Sequence, residues 1–131
     1  MMSKDQNILI VDDEEGVRDL LTLVLGDDYH VDTADCVPAA MEHMSHQQPS
    51  IIVSDIKMPG EDGMSLLAKV KSLYPQIPVI MITGHGDEKM AQEAKQIGAY
   101  GFLTKPFSNQ ILVEKIREAL ETGSLQTTVA A

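Results

Sequence analysis

Short apolar segments alternate along this chain with longer segments of helical periodicity, and this alternation constrains the fold more than any other feature. Residues 8–11 are wholly apolar, and Val17, Leu20, Leu21 and Val24 then follow at the spacing of one helical face. The same pair of signals occurs five times, with strand candidates at 8–11, 30–34, 51–53, 78–82 and 100–104. Strands that alternate with helices of this length predict a parallel sheet joined by right-handed crossovers.

The composition of the strands predicts their order in the sheet. The first, third and fourth are apolar throughout, which indicates burial on both faces at the centre. The second and fifth are alternating or weaker and suit the edges. The sequence therefore predicts an α/β, flavodoxin-like (βα)5 three-layer sandwich with parallel sheet order 2-1-3-4-5.

Domain limits and helix ends follow from the same pattern. Residues 6–122 are expected to form one domain, after an N-terminal tail at 1–5. Residues 123–131 lack helical periodicity and are expected to be a flexible C-terminal tail or the start of a linker. Asp35 is expected to cap the second helix, and Ser108 is expected to open the last one.

Charge and cysteine content exclude several classes of function. The formal net charge is −10, so direct binding of nucleic acid phosphates by this chain is not expected. No apolar run approaches about 18 residues, so no membrane span is expected. Cys36 is the single cysteine, which rules out an intramolecular disulfide. With no signal peptide, this favours a cytoplasmic location.

Chemically useful side chains follow the strands at their carboxyl ends. Asp12 and Asp13 follow the first strand, Asp55 the third, Thr83 the fourth and Lys105 the fifth. These ends meet at one edge of a parallel sheet, where the winding reverses and ligands bind. Three carboxylates at one point repel each other unless a cation lies among them, and oxygen ligands alone favour Mg²⁺. A metal, a lysine and a hydroxyl around a nucleophilic carboxylate are suited to phosphoryl transfer through an acyl phosphate.

Four motifs at these strand ends resemble those of CheY-like response-regulator receiver domains. They are the segments 8–14, 54–60, 81–86 and 104–107, and the resemblance covers about residues 6–121. The segments 83–87 and 98–103 look most like receivers fused to AAA+ transcription activators of the nitrogen-regulator type.

The resemblance implies a set of site residues. Asp55 would accept a phosphoryl group from a phosphohistidine of a sensor histidine kinase. Asp13 and Asp55 would bind Mg²⁺ directly, Asp12 would bind it through water, and Lys57 would contribute its backbone carbonyl. Lys105 would contact the phosphoryl oxygens. The chain would catalyse only its own phosphorylation and dephosphorylation, and in this sense it would not be an enzyme.

The resemblance also implies a conformational switch. Thr83 would move to hydrogen-bond the phosphoryl group, and Phe102 stands where the switch aromatic is more often tyrosine. The face made by the fourth helix, fifth strand and fifth helix would then bind a second copy or a downstream effector. A cis peptide bond is implied before Pro106. Lys57 and His85 would tune hydrolysis, and we expect them to cover the phosphoryl group and prolong its lifetime.

Two other functions share parts of this pattern. A Mg²⁺-dependent phosphatase or phosphotransferase for small molecules would use the same carboxylates. It would need longer loops to build a substrate pocket. A flavodoxin-like FMN carrier would need a glycine- and hydroxyl-rich phosphate loop after the first strand, where residues 12–15 are all acidic.

Overall fold

Five strands and five helices alternate along the chain in the computed structural model. The structure describes residues 5–84 and 88–130, with side chains as far as residue 122. The elements are β1 (Asn7–Val11), α1 (Glu15–Leu25), β2 (His30–Ala34), α2 (Val37–His46), β3 (Ile51–Asp55), α3 (Gly63–Leu73), β4 (Val79–Thr83), α4 (Glu88–Ile97), β5 (Gly101–Thr104) and α5 (Asn109–Ala130).

The sheet has the predicted topology. All four strand pairings are parallel, and the order is β2-β1-β3-β4-β5. Val11 pairs with Ser54 in β3, and Asp55 pairs with Ile82 in β4. Thr83 pairs with Thr104 in β5, so the carboxyl ends of the four adjacent strands lie level with one another.

Helices cover both faces of the sheet, which confirms the three-layer arrangement. One buried cluster joins the sheet to α2, α3 and α4 through residues that include Val37, Leu67 and Ala94. The other joins the opposite face to α1 and α5 through residues that include Leu21 and Ile116. All five residues of β3 and of β4 are buried, as the apolar composition of these central strands predicts.

Two helix starts test the capping expectations. Ser108 Oγ accepts a hydrogen bond from the Ile111 N–H at 3.1 Å, as expected at the start of α5. The expectation for Asp35 was wrong, because the residue that caps α2 is Cys36, whose side chain makes no capping hydrogen bond. Pro38 in the first turn already removes one of the N–H groups that a cap would satisfy.

The last helix is longer than expected. Its backbone continues to Ala130, whereas the lack of periodicity from Gly123 predicts a tail without regular structure. One glycine costs a helix about 1 kcal/mol relative to alanine and does not end it unaided. The domain limits themselves stay a prediction.

No helix in the described part of the chain combines the length and the apolar character that crossing a membrane requires.

Candidate functional site

The carboxyl ends of four adjacent strands bring the predicted site residues together. Asp12 and Asp13 lie directly after β1, Asp55 ends β3, and Thr83 ends β4. Lys105 lies directly after β5. The buried strands fix these positions, since each ladder is continuous up to the residue that carries or precedes the functional side chain. The site therefore lies at the predicted switch point between β1 and β3.

Three carboxylates form one cluster at this edge. Asp12, Asp13 and Asp55 each place a carboxylate oxygen within 4.8 Å of those of the other two. Asp12 is only 1% exposed and Asp55 8% exposed, whereas Asp13 is exposed to solvent. Like charges that are so close together and partly shielded from water repel each other strongly. The cluster is therefore suited to a cation.

The hydrogen bonding of Asp12 gives the clearest indication of a cation site. Its Oδ1 accepts a hydrogen bond from the Glu14 N–H at 2.9 Å, while its Oδ2 is buried without a partner among the described residues. Burial raises the pKa of Asp12 above its ordinary value; the Glu14 N–H lowers it, and the charge of Asp55 raises it further. A buried carboxylate oxygen without a partner, beside two other carboxylates, fits a hard divalent cation such as Mg²⁺.

Asp55 is surrounded by groups that stabilise negative charge. Lys105 Nζ lies 3.6 Å from its Oδ2. Burial raises the pKa of Asp55, and this outweighs the opposing effects of Lys105 and of the Lys57 and Ile56 backbone N–H groups. The result is a carboxylate that is largely shielded from water and has the Lys105 ammonium as a neighbour.

The hydroxyl of Thr83 has its hydrogen-bond partners on β5. It lies 3.3 Å from Thr104 Oγ1 and 3.4 Å from the Leu103 carbonyl oxygen. Both distances are long for an O–H···O bond, so the contacts are weak. Thr83 thus lies at the site with its hydroxyl engaged by the neighbouring strand.

The remaining predicted residues lie around this centre. Phe102 is half-buried against the cluster beneath α2–α4, with Lys95 Nζ 6.0 Å from its ring centroid. The Lys105–Pro106 peptide bond is cis, as the resemblance implies. Lys57 is exposed in the loop after β3, and His85 lies outside the described residues.

Two residues with clear roles in the geometry did not emerge from the sequence. A Cβ on Gly63 would lie 2.2 Å from the Asp55 carbonyl oxygen, so only glycine permits α3 to start this close to Asp55. Arg18 in α1 donates a hydrogen bond from Nη1 to the Asp12 carbonyl oxygen at 2.9 Å. The turn around Gly63 was visible as a pattern, but neither contact leaves a local signal.

The family model described as "response regulator receiver domain" matches residues 8–117. The C4-dicarboxylate transport transcriptional regulatory protein DctD of Rhizobium meliloti (strain 1021) is 38% identical over 126 residues, which are 95% of this chain and 27% of that protein. The nitrogen assimilation regulatory protein NtrX of Azorhizobium caulinodans is 39% identical over 126 residues, which are 94% of this chain and 28% of that protein. The chain thus spans less than a third of the length of these relatives.

Solved structures agree with the sequence comparison. The receiver domain of NtrX from Brucella abortus matches with a TM-score of 0.85 and 38% identity, over 88% of this chain and 98% of that one. A response regulator receiver domain protein from Clostridium thermocellum matches with a TM-score of 0.88 and 31% identity, over 92% of this chain and 98% of that one. The chain therefore belongs to the response regulator receiver domains, the family of two-component, phosphorylation-based signalling that its strand-end motifs resemble, and its relatives are regulators of the NtrX and DctD type.

Proposed function

We propose that Asp55 is the residue of this receiver that accepts the phosphoryl group, and that its donor is a phosphohistidine of a sensor histidine kinase. The observation that carries the proposal is the surroundings of Asp55. Its carboxylate lies in the three-acid cluster, is largely shielded from water and has Lys105 Nζ 3.6 Å away. Neither Asp12 nor Asp13 ends a central strand next to a cation in this way.

The transfer needs few protein groups. An Asp55 oxygen attacks phosphorus in line while the phosphorus–nitrogen bond to the donor imidazole breaks. The imidazole leaves with the bonding electron pair, and the product is an aspartyl phosphate. Lys105 stabilises the charge on the transferring oxygens, which is electrostatic catalysis rather than proton transfer. In hydrolysis, water attacks phosphorus, the Asp55 carboxylate leaves, and inorganic phosphate is released. The chain would thus catalyse only its own phosphorylation and dephosphorylation.

Four residues would hold Mg²⁺: Asp13 and Asp55 directly through side-chain oxygens, Asp12 through a water molecule, and Lys57 through its backbone carbonyl. When bound, the ion neutralises charge on both the carboxylates and the phosphoryl oxygens. The unpartnered Oδ2 of Asp12 and the all-oxygen donor set support this assignment. The chain's own part is to keep the three carboxylates close together despite their repulsion.

The response to phosphorylation would travel through Thr83. Its weak contacts with β5 cost little to exchange for a phosphoryl oxygen. Movement of Thr83 would leave room into which the Phe102 ring can turn, and the face of α4, β5 and α5 would change shape. We propose that this face binds a second copy of the chain or an effector domain, in the cytoplasm. The relatives' much greater length supports an effector elsewhere in the same polypeptide.

Phosphorylation by a small phosphodonor tests the central assignment. The full chain is incubated with acetyl phosphate and Mg²⁺, and intact mass is measured. One phosphoryl group should be added to the parent and none to Asp55→Asn. Asp19→Asn, an exposed carboxylate in α1, is the matched control and should be modified like the parent. Equal modification of Asp55→Asn would refute the assignment.

The kinase donor has its own test. Phosphotransfer from purified, autophosphorylated sensor kinases of the same genome should label the parent within seconds for a cognate pair. Asp55→Asn should stay unlabelled. If acetyl phosphate modifies the chain but no kinase does, the acceptor assignment stands and the donor assignment fails.

A further inference from the structure

Arg18 contacts the backbone of the candidate site and not its carboxylates. Its Nη1 donates to the Asp12 carbonyl oxygen at 2.9 Å. In the described part of the chain, the arginine forms no ion pair with Asp12, Asp13 or Asp55. Its influence on the site therefore runs through a peptide group.

The peptide group that Arg18 holds is the one that joins two of the three acids. The Asp12 carbonyl lies in the same rigid plane as the Asp13 N–H. Rotation of that plane would turn the Asp12 and Asp13 side chains relative to each other. A hydrogen bond to the carbonyl therefore restricts the orientation of both carboxylates at once.

The rest of Asp12 is already fixed by other contacts. Its N–H donates to the Ala34 carbonyl at 3.1 Å, and its Oδ1 accepts from the Glu14 N–H at 2.9 Å. Arg18 supplies the contact on the carbonyl side. With these three bonds made, Oδ2 is the polar atom of Asp12 that has no partner among the described residues.

The guanidinium is itself held at a defined place. The Arg18 N–H donates to the Glu14 carbonyl at 3.1 Å, which anchors the residue in the first turns of α1. Its carbonyl accepts from Thr22 Oγ1 at 2.8 Å, and the side chain is half-buried. A fixed base and a short reach make the contact a brace between α1 and the loop after β1.

We propose that Arg18 is a positioning residue for divalent-cation binding, acting through the Asp12–Asp13 peptide. This inference rests on the proposed function of the acid cluster. It predicts a change in Mg²⁺ affinity that is opposite in sign to the change expected from the loss of charge alone. Removing a cation near a metal site strengthens metal binding by Coulomb's law, whereas removing a brace weakens it. Loss of an outer contact to metal-binding residues typically costs about 10- to 100-fold in affinity.

The test is a calorimetric Mg²⁺ titration of the full unphosphorylated chain. Arg18→Met keeps the aliphatic stem and removes the donors, and its Kd for Mg²⁺ should rise about tenfold. Arg18→Lys retains a donor of similar reach and should stay within about threefold of the parent. Arg117→Met removes the same charge from an exposed position on α5 and should leave the Kd unchanged.

Melting temperatures of the metal-free variants are measured alongside, and Arg18→Leu, which also lacks a donor, replaces Arg18→Met if the latter unfolds at the titration temperature. An unchanged or lower Kd in the variant without the brace overturns the proposal. A Kd that rises equally in Arg117→Met would also overturn it, because the loss of affinity would then not be specific to the Arg18 contact. If the parent itself binds no Mg²⁺, the proposed function of the cluster fails, and this inference fails with it.

Discussion

The acid side of the site, at the ends of β1 and β3, differs sharply from the switch side, at the ends of β4 and β5. On the acid side, Asp12 and Asp55 are almost fully buried, and their backbones are fixed by bonds of 2.9–3.1 Å. On the switch side, the Thr83 carbonyl accepts a bond from the Lys105 N–H at 2.8 Å, but the Thr83 hydroxyl makes contacts of 3.3–3.4 Å, and Phe102 is half-buried. The difference fits the proposed mechanism, in which the reactive carboxylates are held rigidly and the responding side chains are held weakly enough to exchange partners.

The two sides also differ in how they affect stability. Burial raises the pKa of both Asp12 and Asp55, which means that their ionised forms are disfavoured in the fold. The acid side therefore carries an electrostatic cost that a bound cation would offset. On the switch side, the contacts of the Thr83 hydroxyl are between neutral groups, and Lys105 opposes this cost because it favours the ionised form of Asp55. Substitutions on the acid side should accordingly have the larger effects.

Gly63→Ala should break the acid side most severely. The new Cβ would lie 2.2 Å from the Asp55 carbonyl oxygen and 2.9 Å from Ile56 Cα, both of them backbone atoms of the site. We expect a loss of about 3 kcal/mol in the free energy of unfolding, because a packed backbone must shift. Phosphorylation by acetyl phosphate should slow at least about tenfold. Urea unfolding and intact-mass kinetics measure the two effects.

Gly16→Ala is the matched control for this change. No heavy atom lies within 4 Å of a Cβ at Gly16, which is in the first turn of α1. Alanine there should stabilise the chain by up to about 1 kcal/mol, since alanine favours helix more than glycine does. Equal effects of the two substitutions would mean that the close approach at Gly63 does not determine the geometry of Asp55.

Mg²⁺ should stabilise the parent through the acid side. At a concentration 100 times its Kd, an ion that binds only the folded state adds about 2.7 kcal/mol to the free energy of unfolding. Asp13→Ala should lose most of this gain. Thr83→Ala, on the switch side, should keep it. Thermal unfolding with and without Mg²⁺ distinguishes these outcomes, and equal losses in both variants would erase the proposed difference between the sides.

Without Mg²⁺, the raised pKa values of Asp12 and Asp55 should make the fold less stable as pH rises. A carboxyl whose pKa is higher in the fold than in the unfolded chain stabilises the fold while protonated, and this is lost as pH rises through the folded pKa. Asp12→Asn keeps the acceptor for Glu14 and removes the charge. At pH 7 without Mg²⁺ it should melt about 3 °C above the parent. Below the ordinary aspartate pKa of about 4, this advantage should vanish.

Much of the acid side was readable from the sequence. Buried parallel strands are marked by continuous apolar composition, and the first polar residues after them must lie at one edge of the sheet. Asp12, Asp13 and Asp55 were predicted to meet for this reason, and their oxygens do lie within 4.8 Å of one another. The strand order followed from the same contrast between central and edge composition.

Contacts that depend on the packing and backbone geometry of the folded chain could not be predicted in this way. The direction of the Thr83 hydroxyl depends on Thr104, which pairs with it across β4 and β5. The Arg18 brace depends on how the α1 side chains meet the preceding loop. The Asp35 prediction failed because several polar residues near a helix start compete for the cap, and backbone geometry decides among them.

Hydrolysis of the aspartyl phosphate should depend on both sides, since Lys57 follows β3 and His85 follows β4. Water must reach phosphorus opposite the Asp55 oxygen, and long side chains at these positions should obstruct it. Lys57→Asn and His85→Ala should each shorten the lifetime several-fold under saturating Mg²⁺. Loss of radiolabel over time measures this. A longer lifetime in His85→Ala would show that the histidine acts as a general base.

The smallest expected effect concerns the contact between Lys95 and Phe102 on the switch side. The ammonium lies 6.0 Å from the ring centroid, at the outer limit of a cation–π interaction worth about 0.5–1 kcal/mol at an exposed site. Lys95→Met should therefore change the free energy of unfolding by less than about 1 kcal/mol. It should nevertheless shift the population of ring orientations, because so small a difference alters a two-state equilibrium several-fold. The chain has two phenylalanines, so labelling with fluorophenylalanine gives one signal for Phe102 and one for Phe107. The Phe102 signal should move toward its position in the phosphorylated chain, while Phe107 serves as the internal control. If neither signal moves, the ammonium does not hold the ring, and the switch side is set by packing alone.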